Sequence, residues 1–190
     1  MKQAKLLTDV ERKRVSAVIN AHRYPIRNHA IFALSFYAGL RACEIAGLRV
    51  GDVFEDNGKV RDTIYLAAAQ TKGDDGATVL VSKRLAKALA AYAAQHPRHI
   101  AKQGASLFFS AKGGGFSAQT IVNLFARFYK LGGVKGASSH SGRRQFLTEL
   151  ADKGINARVI QALARHKHLN TTMRYIELNE KKMRNAIELI

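Results

Sequence analysis

The stretch that decides the fold runs from Ser138 to Arg144 and reads SSHSGRR. His140 and Arg143 are three residues apart, so they share one face where this segment is helical. A serine just ahead of them can cap that helix and aim its positive N-terminus the same way, which suits a phosphate group. His166 and Tyr175 follow in the chain, and a tyrosine can act as a nucleophile. This order of residues predicts a site that reacts with phosphate.

The chain carries a large excess of positive charge. Its 190 residues include 31 Lys and Arg against 14 Asp and Glu, a formal net charge of +17. Such an excess favours a polyanionic partner, and nucleic acid is the leading candidate. An anionic membrane surface fits less well, because the basic residues are spread among apolar helical patterns and form no terminal run. Nucleic acid is therefore the predicted class of partner.

Cysteine usage and hydropathy indicate a soluble, cytoplasmic protein. Cys43 is the only cysteine, which excludes an internal disulfide and fits a reducing compartment. The longest apolar stretch, from Ala30 to Leu40, is far shorter than the ~20 residues that a membrane span needs. The N-terminus has no signal-peptide pattern.

Capping residues and apolar periodicity predict helices over most of the chain. The segment Thr8 to Glu11 reads as a capping box that opens a helix to about His22. A second helix is expected from about Arg27 to Ala38, with Gly39 as its left-handed stop. The further predicted helices are one from near Arg41, one marked by Leu85, Leu89 and Tyr92, one capped by Ser117, one after His140 that Gly154 closes, one capped by Asn156 and a segment opened by Asn170.

A small sheet is predicted in the middle of the chain. Asn57 and Gly58 signal a tight hairpin turn, flanked by strands at residues 52–54 and 60–66. A second turn at residues 72–76 leads to a third strand at 77–81. The expected fold class is therefore mainly α with a small antiparallel three-stranded β-sheet. No repeat or linker divides the sequence, so we expect a short tail at 1–7 and one domain at 8–190.

Four sequence elements occur in a distinctive order: GLRACEI at residues 39–45, TKG at 71–73, the pair His140 and Arg143, and then His166 with Tyr175. This order and spacing resemble the tyrosine recombinases, also called the phage integrase family. The match covers nearly the whole chain from Thr8. It implies the fold of their catalytic domain, a site-specific recombinase or integrase activity, and double-stranded DNA as the partner.

The resemblance also implies a role for each matching residue. Arg41 and Arg143 would clamp the scissile phosphate, and Tyr175 would attack it. Lys72 would protonate the departing 5′ oxygen, and His140 would accept the phenol proton. The remaining implied roles are donation to a non-bridging oxygen by His166, orientation of the pocket by Glu44, and DNA binding by Arg144, Arg165 and Lys167.

These residue types suit phosphoryl transfer. Charge develops on the non-bridging oxygens, and a guanidinium is a planar fork that stays charged and can bind two oxygens at once. A phenol is ionised in only about one molecule in a thousand at neutral pH, so it needs an acceptor and local positive charge. Because one phosphodiester is exchanged for another, the reaction needs no ATP, metal or other cofactor.

The reaction implied is strand exchange through a 3′-phosphotyrosyl link, with four protomers on DNA. The state of the free protein stays open between monomer and oligomer. Two other functions also stay open: strand relaxation of the type IB topoisomerase kind, and a catalytically weak DNA-binding regulator of the same fold. A metal site at His166, His168 and Cys43 is disfavoured because no paired Cys or His motif exists.

Three departures from the family pattern stand out. Ala164 and Arg165 occupy the place of the usual Leu-Gly before the second histidine, so Arg165 either crowds the pocket or adds a phosphate contact. Gly142 replaces a usual leucine, which removes an apolar anchor and lowers helix propensity. Most members also carry a separate N-terminal core-binding domain. We expect none here, as in the short single-domain integrases, unless the chain is an excised catalytic fragment.

Overall fold

The computed structural model describes residues 3–68, 76–111, 113–176, 183–184 and 187–188. The chain divides into two compact units, Met1–Phe146 and Leu147–Ile190. In the first unit the helices are α1 (Asp9–Asn20), α2 (Pro25–Ala38), α3 (Ala42–Gly47), α4 (Val50–Val53), α5 (Lys83–Gln95), α6 (Pro97–Ile100) and α7 (Ala118–Leu131). Helix α8 (Ser141–Asp152) crosses the division, and the second unit contains α9 (Ala157–Ala164) and α10 (Leu169–Met173). The strands are β1 (Thr63–Leu66) and β2 (Ala77–Leu80).

The first two helices form as expected, although α1 ends at Asn20 and not at about His22. Thr8 caps α1 in a full capping box, in which its hydroxyl accepts from the Glu11 N–H and the Glu11 carboxylate accepts from the Thr8 N–H. Helix α2 starts two residues earlier than expected, because Pro25 fits the first turn of a helix. Gly39 ends α2 in the left-handed conformation at φ 62°.

The described part of the sheet has two strands, so the prediction of a third strand was wrong. β1 and β2 pair antiparallel with Thr63 opposite Leu80. Residues 50–53 form a helical turn instead, since the Asp52 carboxylate accepts a hydrogen bond from the Arg49 N–H at 2.8 Å. Phe54 makes only an isolated bridge to Val60, although the turn between them forms as expected with Gly58 at φ 81°.

The core of the first unit is helical. Helix α2 packs against α1, α3 and α5, while α7 packs against α1 and α3. Leu85, Leu89 and Tyr92, which mark α5 in the sequence, are confirmed as buried, and α7 buries Ile121, Phe125, Phe128 and Tyr129. The largest fully buried side chains are Tyr92, Tyr129, Phe54, Phe125, Phe128, Ile19, Ile31 and Leu34, together with Leu40, Ile45, Leu48 and Ile64.

Two glycines allow α2 and the first turns of α8 to approach closely. A Cβ at Gly142 would lie 2.2 Å from Ser35 Oγ and 2.7 Å from Phe36 Cδ2. A Cβ at Gly39 would lie 2.7 Å from Phe146 Cδ1. We call this pair of contacts the glycine interlock. The space that a side chain at position 142 would need is thus already filled by α2, which accounts for the glycine in place of a leucine.

The second unit follows its predicted caps with one exception. Gly154 takes φ 74° just after α8, and the Asn156 side chain accepts from the Arg158 N–H to cap α9. The expectation that Asn170 opens the next segment was wrong. Helix α10 begins at Leu169, because the extended His168 is its cap and accepts the Thr171 N–H.

Arg165 ends α9 in the left-handed region at φ 55° and ψ 46°, the one non-glycine residue with positive φ in the described part of the chain. This conformation brings a Cβ close to the following carbonyl and normally favours glycine. The left-handed backbone therefore explains why the family usually has a glycine at this position. Arg165 adopts the same conformation although it has a side chain.

No helix of the described residues is long and apolar enough to cross a membrane.

Replacing Gly142 by alanine should destabilise the protein by about 1–3 kcal/mol, because the added methyl group overpacks the glycine interlock. Gly104→Ala is the matched control, since no heavy atom lies within 4 Å of a Cβ built there. Chemical denaturation measures both. An equal effect of the two substitutions would contradict the interlock.

At position 165 glycine should be more stable than alanine by about 1–2 kcal/mol, since only alanine has the steric clash of the left-handed conformation. In an ordinary helical site the order is reversed by about 0.5–1 kcal/mol. Thermal unfolding of Arg165→Gly and Arg165→Ala tests the sign, and alanine proving more stable would refute the left-handed assignment.

Candidate active site

Arg41 is fixed by the acidic residue three positions after it. Its guanidinium Nη1 lies 2.6 Å from Glu44 Oε1, and its backbone N–H donates to Glu44 Oε2 at 2.8 Å. The Glu44 side chain is 1% exposed, whereas that of Arg41 is 24% exposed. A buried carboxylate thus holds one edge of the arginine and orients the planar fork.

Arg143 lies in the first turn of α8 and is buried. Its Nη1 donates to the Gly39 carbonyl at 2.6 Å. Gly39 is the C-cap of α2, where the helix end carries partial negative charge that attracts a cation. Arg143 is therefore anchored two residues before Arg41, so two guanidinium groups distant in sequence are tied to one short segment.

His140 is exposed and immediately precedes α8. Its backbone N–H donates to Ser138 Oγ at 3.3 Å, and its carbonyl accepts from the Arg144 N–H as α8 begins. The Ser141 hydroxyl, which is fully buried, accepts from the Ser138 N–H at 3.0 Å. These serines stabilise the turn that presents His140, in agreement with the structural role expected of them.

In the second unit His166 and Tyr175 are neighbours. Their ring centroids are 6.0 Å apart and the ring planes differ by 19°, a stacked arrangement. His166 Nδ1 lies 2.9 Å from the Thr172 hydroxyl, and the Tyr175 N–H donates to the Thr172 carbonyl at 2.9 Å. Thr172 therefore links the histidine ring to the backbone that carries the tyrosine.

Two other tyrosines are unsuited to act as nucleophiles. Tyr92 and Tyr129 are buried, and burial raises the pKa of both phenols well above the usual range. The Tyr92 hydroxyl also donates to the Leu107 carbonyl at 2.8 Å. Tyr175, by contrast, is half-buried.

The other predicted site residues differ in their surroundings. Arg144 is half-buried and its Nη1 donates to the Ala4 carbonyl. Arg165 Nη1 donates to the Leu163 carbonyl at 3.1 Å, within its own helix end. Lys167 is exposed. Lys72 lies outside the described residues, in the β1–β2 connection.

Thr172 and the Gly39 carbonyl are the contributors that sequence reasoning missed. A threonine in a helix commonly bonds its own backbone, so its type and position give no sign of a bond to His166. A backbone carbonyl carries no sequence signal at all. The place of Tyr175 three residues after Thr172, about one helical turn, is the only hint that the sequence contains.

Among the described residues, no group of three or more His, Cys, Asp and Glu side chains is arranged to hold a metal ion.

Solved structures share this fold over nearly all of the chain. The crystal structure of XerA recombinase matches with a TM-score of 0.77 at 24% identity, covering 100% of this chain and 66% of that one. A Tn1549 transposon integrase in complex with circular intermediate DNA matches with a TM-score of 0.76 at 19% identity, covering 99% and 67%. The XerH recombinase bound to its difH substrate matches with a TM-score of 0.73 at 21% identity, covering 98% and 54%.

Curated relatives agree at the level of sequence. Tyrosine recombinase XerD of Lacticaseibacillus casei is 30% identical over 161 residues, which are 83% of this chain and 53% of that protein. Tyrosine recombinase XerA of Pyrococcus furiosus is 26% identical over 187 residues, 97% of this chain and 61% of that protein. The chain thus spans roughly half to three fifths of the length of these relatives. The family model described as the phage integrase family matches residues 5–182, and this chain belongs to that family.

Proposed function

We propose that this chain is the catalytic part of a site-specific DNA recombinase that cleaves and rejoins DNA through a 3′-phosphotyrosyl intermediate. Its membership of the phage integrase family supports this activity. The formal charge of +17 suits a DNA partner. Two structural neighbours, the Tn1549 integrase and XerH, are complexes with DNA.

The observation that carries the proposal is the anchoring of Arg143 on the Gly39 carbonyl, beside Arg41. Each anchor uses part of one guanidinium, and each guanidinium has five N–H donors. A planar guanidinium can bind two oxygens of a phosphate at once, so two such forks beside each other suit the non-bridging oxygens of one phosphate. Negative charge grows on those oxygens in the transition state. Two guanidinium groups fixed on one segment would stabilise that charge.

The proposed reaction exchanges one phosphodiester bond for another. Tyr175 Oη forms a bond to phosphorus, and the bond from phosphorus to the 5′ oxygen breaks. His140 accepts the phenol proton, while Lys72 supplies a proton to the departing oxygen. Rejoining is the reverse, with a 5′-hydroxyl attacking the phosphotyrosine. No net oxidation or hydrolysis occurs, so the step needs no further reactant.

The remaining residues support this step. His166 donates to a non-bridging oxygen, and Glu44 keeps Arg41 oriented through their hydrogen bond. Arg144, Arg165 and Lys167 bind DNA through phosphates, which adds affinity without sequence readout. Four protomers on DNA would complete strand exchange in two rounds of cleavage.

Replacing Tyr175 by phenylalanine should abolish the covalent protein–DNA adduct, because the attacking oxygen is removed. The substrate is a set of nicked suicide duplexes tiled over the DNA that flanks the gene, in which loss of a short strand traps the intermediate. Denaturing gels measure the adduct.

Tyr37→Phe is the matched control, since Tyr37 is an exposed tyrosine of α2 and its variant should keep the adduct. Wild type giving no adduct on any duplex, or Tyr175→Phe still giving one, would exclude Tyr175 as the nucleophile. Relaxed plasmid without recombinant product would point to a topoisomerase activity instead.

Replacing Arg143 by lysine should lower the cleavage rate by roughly 100-fold or more, because an ammonium group cannot bond the Gly39 carbonyl and two phosphate oxygens as a fork does. Binding to the same duplex should weaken by only a few-fold, since the charge is kept. Arg98→Lys, an exposed arginine of α6, is the control and should change neither. Equal losses of binding and cleavage would argue against a transition-state role.

A further inference from the structure

His166 is held at two points within the second unit. Its backbone carbonyl accepts from Gln161 Nε2 at 3.1 Å, and its N–H donates to the Gln161 carbonyl at 3.1 Å. Its ring nitrogen Nδ1 lies 2.9 Å from Thr172 Oγ1. The two bonds to Gln161 fix the backbone of His166 relative to α9. The bond to Thr172 fixes the rotation of the imidazole ring.

Thr172 is well placed to act on the ring. It is fully buried, so its hydroxyl cannot exchange this bond for water. Its carbonyl also accepts the Tyr175 N–H at 2.9 Å, one turn further along the chain. One residue therefore connects the ring of His166 with the backbone of Tyr175, whose ring stacks on it.

It matters chemically that Nδ1, and not Nε2, is the ring nitrogen of His166 that bonds Thr172. A neutral imidazole has one N–H, and the bond made by one nitrogen determines whether the other is a donor or an acceptor. When the Thr172 hydroxyl donates to Nδ1, the proton of the neutral ring lies on Nε2. Nε2 is then the nitrogen that can donate to a phosphate oxygen without prior protonation of the ring.

We propose that Thr172 is a positioning residue that holds neutral His166 in the tautomer whose Nε2–H donates to the scissile phosphate. This role rests on the proposed function of the site and extends it to a residue outside the catalytic set. Thr172 touches neither substrate nor phosphorus, and acts only through His166.

The test compares Thr172→Val, which removes the hydroxyl and keeps the branched shape, with Thr172→Ser, which keeps the hydroxyl. Thr171→Val is the matched control, since Thr171 is the adjacent threonine of α10. The readouts are the rate of adduct formation on a saturating suicide duplex, the affinity for that duplex, and the nitrogen-15 NMR signals of the His166 ring in the DNA-free protein.

At pH 8 the valine variant should form adduct roughly threefold to tenfold more slowly, the range expected for one lost hydrogen bond. Its DNA affinity should stay within about twofold, and serine should restore most of the rate. The NMR signals of the wild type should show the proton on Nε2, and those of the valine variant a mixture of tautomers.

The difference in the rate of adduct formation between the wild type and Thr172→Val should become smaller as the pH falls toward 6. A protonated imidazole carries both N–H groups, so it donates from Nε2 without help once the pH nears the ordinary imidazole pKa of about 6.5. The charged or titratable groups next to His166 in the described part of this unit are Tyr175, Arg165, Lys167 and His168, and only the exposed His168 is of a type that ordinarily titrates between pH 6 and 8. The ratio of the variant rate to the wild-type rate cancels any pH dependence that the other histidines contribute equally to both proteins.

Other outcomes would overturn the assignment. A deficit independent of pH, or a serine variant as slow as valine, would mean that Thr172 serves only for packing. An unchanged tautomer in Thr172→Val would refute the proposal even if the rate falls. If wild type forms no adduct on any duplex, the proposed function fails, while the NMR comparison still decides whether Thr172 sets the tautomer.

Discussion

The bond from Arg143 to the Gly39 carbonyl is the interaction on which the rest of the site depends. It joins the start of α8 to the end of α2, across 104 positions of sequence. The glycine interlock makes this approach possible, because neither Gly39 nor Gly142 has a Cβ where the two helices meet. Gly39 and Gly142 therefore allow the Arg143 guanidinium to reach the Gly39 carbonyl.

The same contact accounts for a departure from the family pattern. Within the helix alone, a glycine in place of a leucine at position 142 lowers helix propensity and weakens the start of α8. The structure has Phe36 of α2, itself buried, in the space that such a side chain would need. The apolar contact that a leucine would make is thus made by Phe36 of the neighbouring helix. The sequence around position 142 gives no sign of this replacement.

The second unit has its own constraint at the end of α9. Arg165 accepts a left-handed backbone, and the chain then turns so that His166 bonds Thr172 and stacks on Tyr175. The guanidinium of Arg165 donates to the carbonyl of Leu163 in the same turn. Although Arg165 departs from the family pattern, its backbone has the left-handed conformation that glycine readily adopts.

The sequence by itself determined most of the helices and several of their ends, because Thr8, Gly39, Ser117 and Asn156 act through bonds to backbone groups a few residues away. It also determined the family, since the order of chemical groups along the chain needs no knowledge of their distances. It misjudged residues 52–54, where the Asp52 carboxylate caps a helical turn through the Arg49 N–H, and the start of α10, where the His168 carbonyl accepts the Thr171 N–H. Only the tertiary structure decided that Arg143 bonds Gly39 and that Thr172 bonds His166. Each bond depends on how segments pack, and a buried contact between distant residues leaves no periodic signal in the chain.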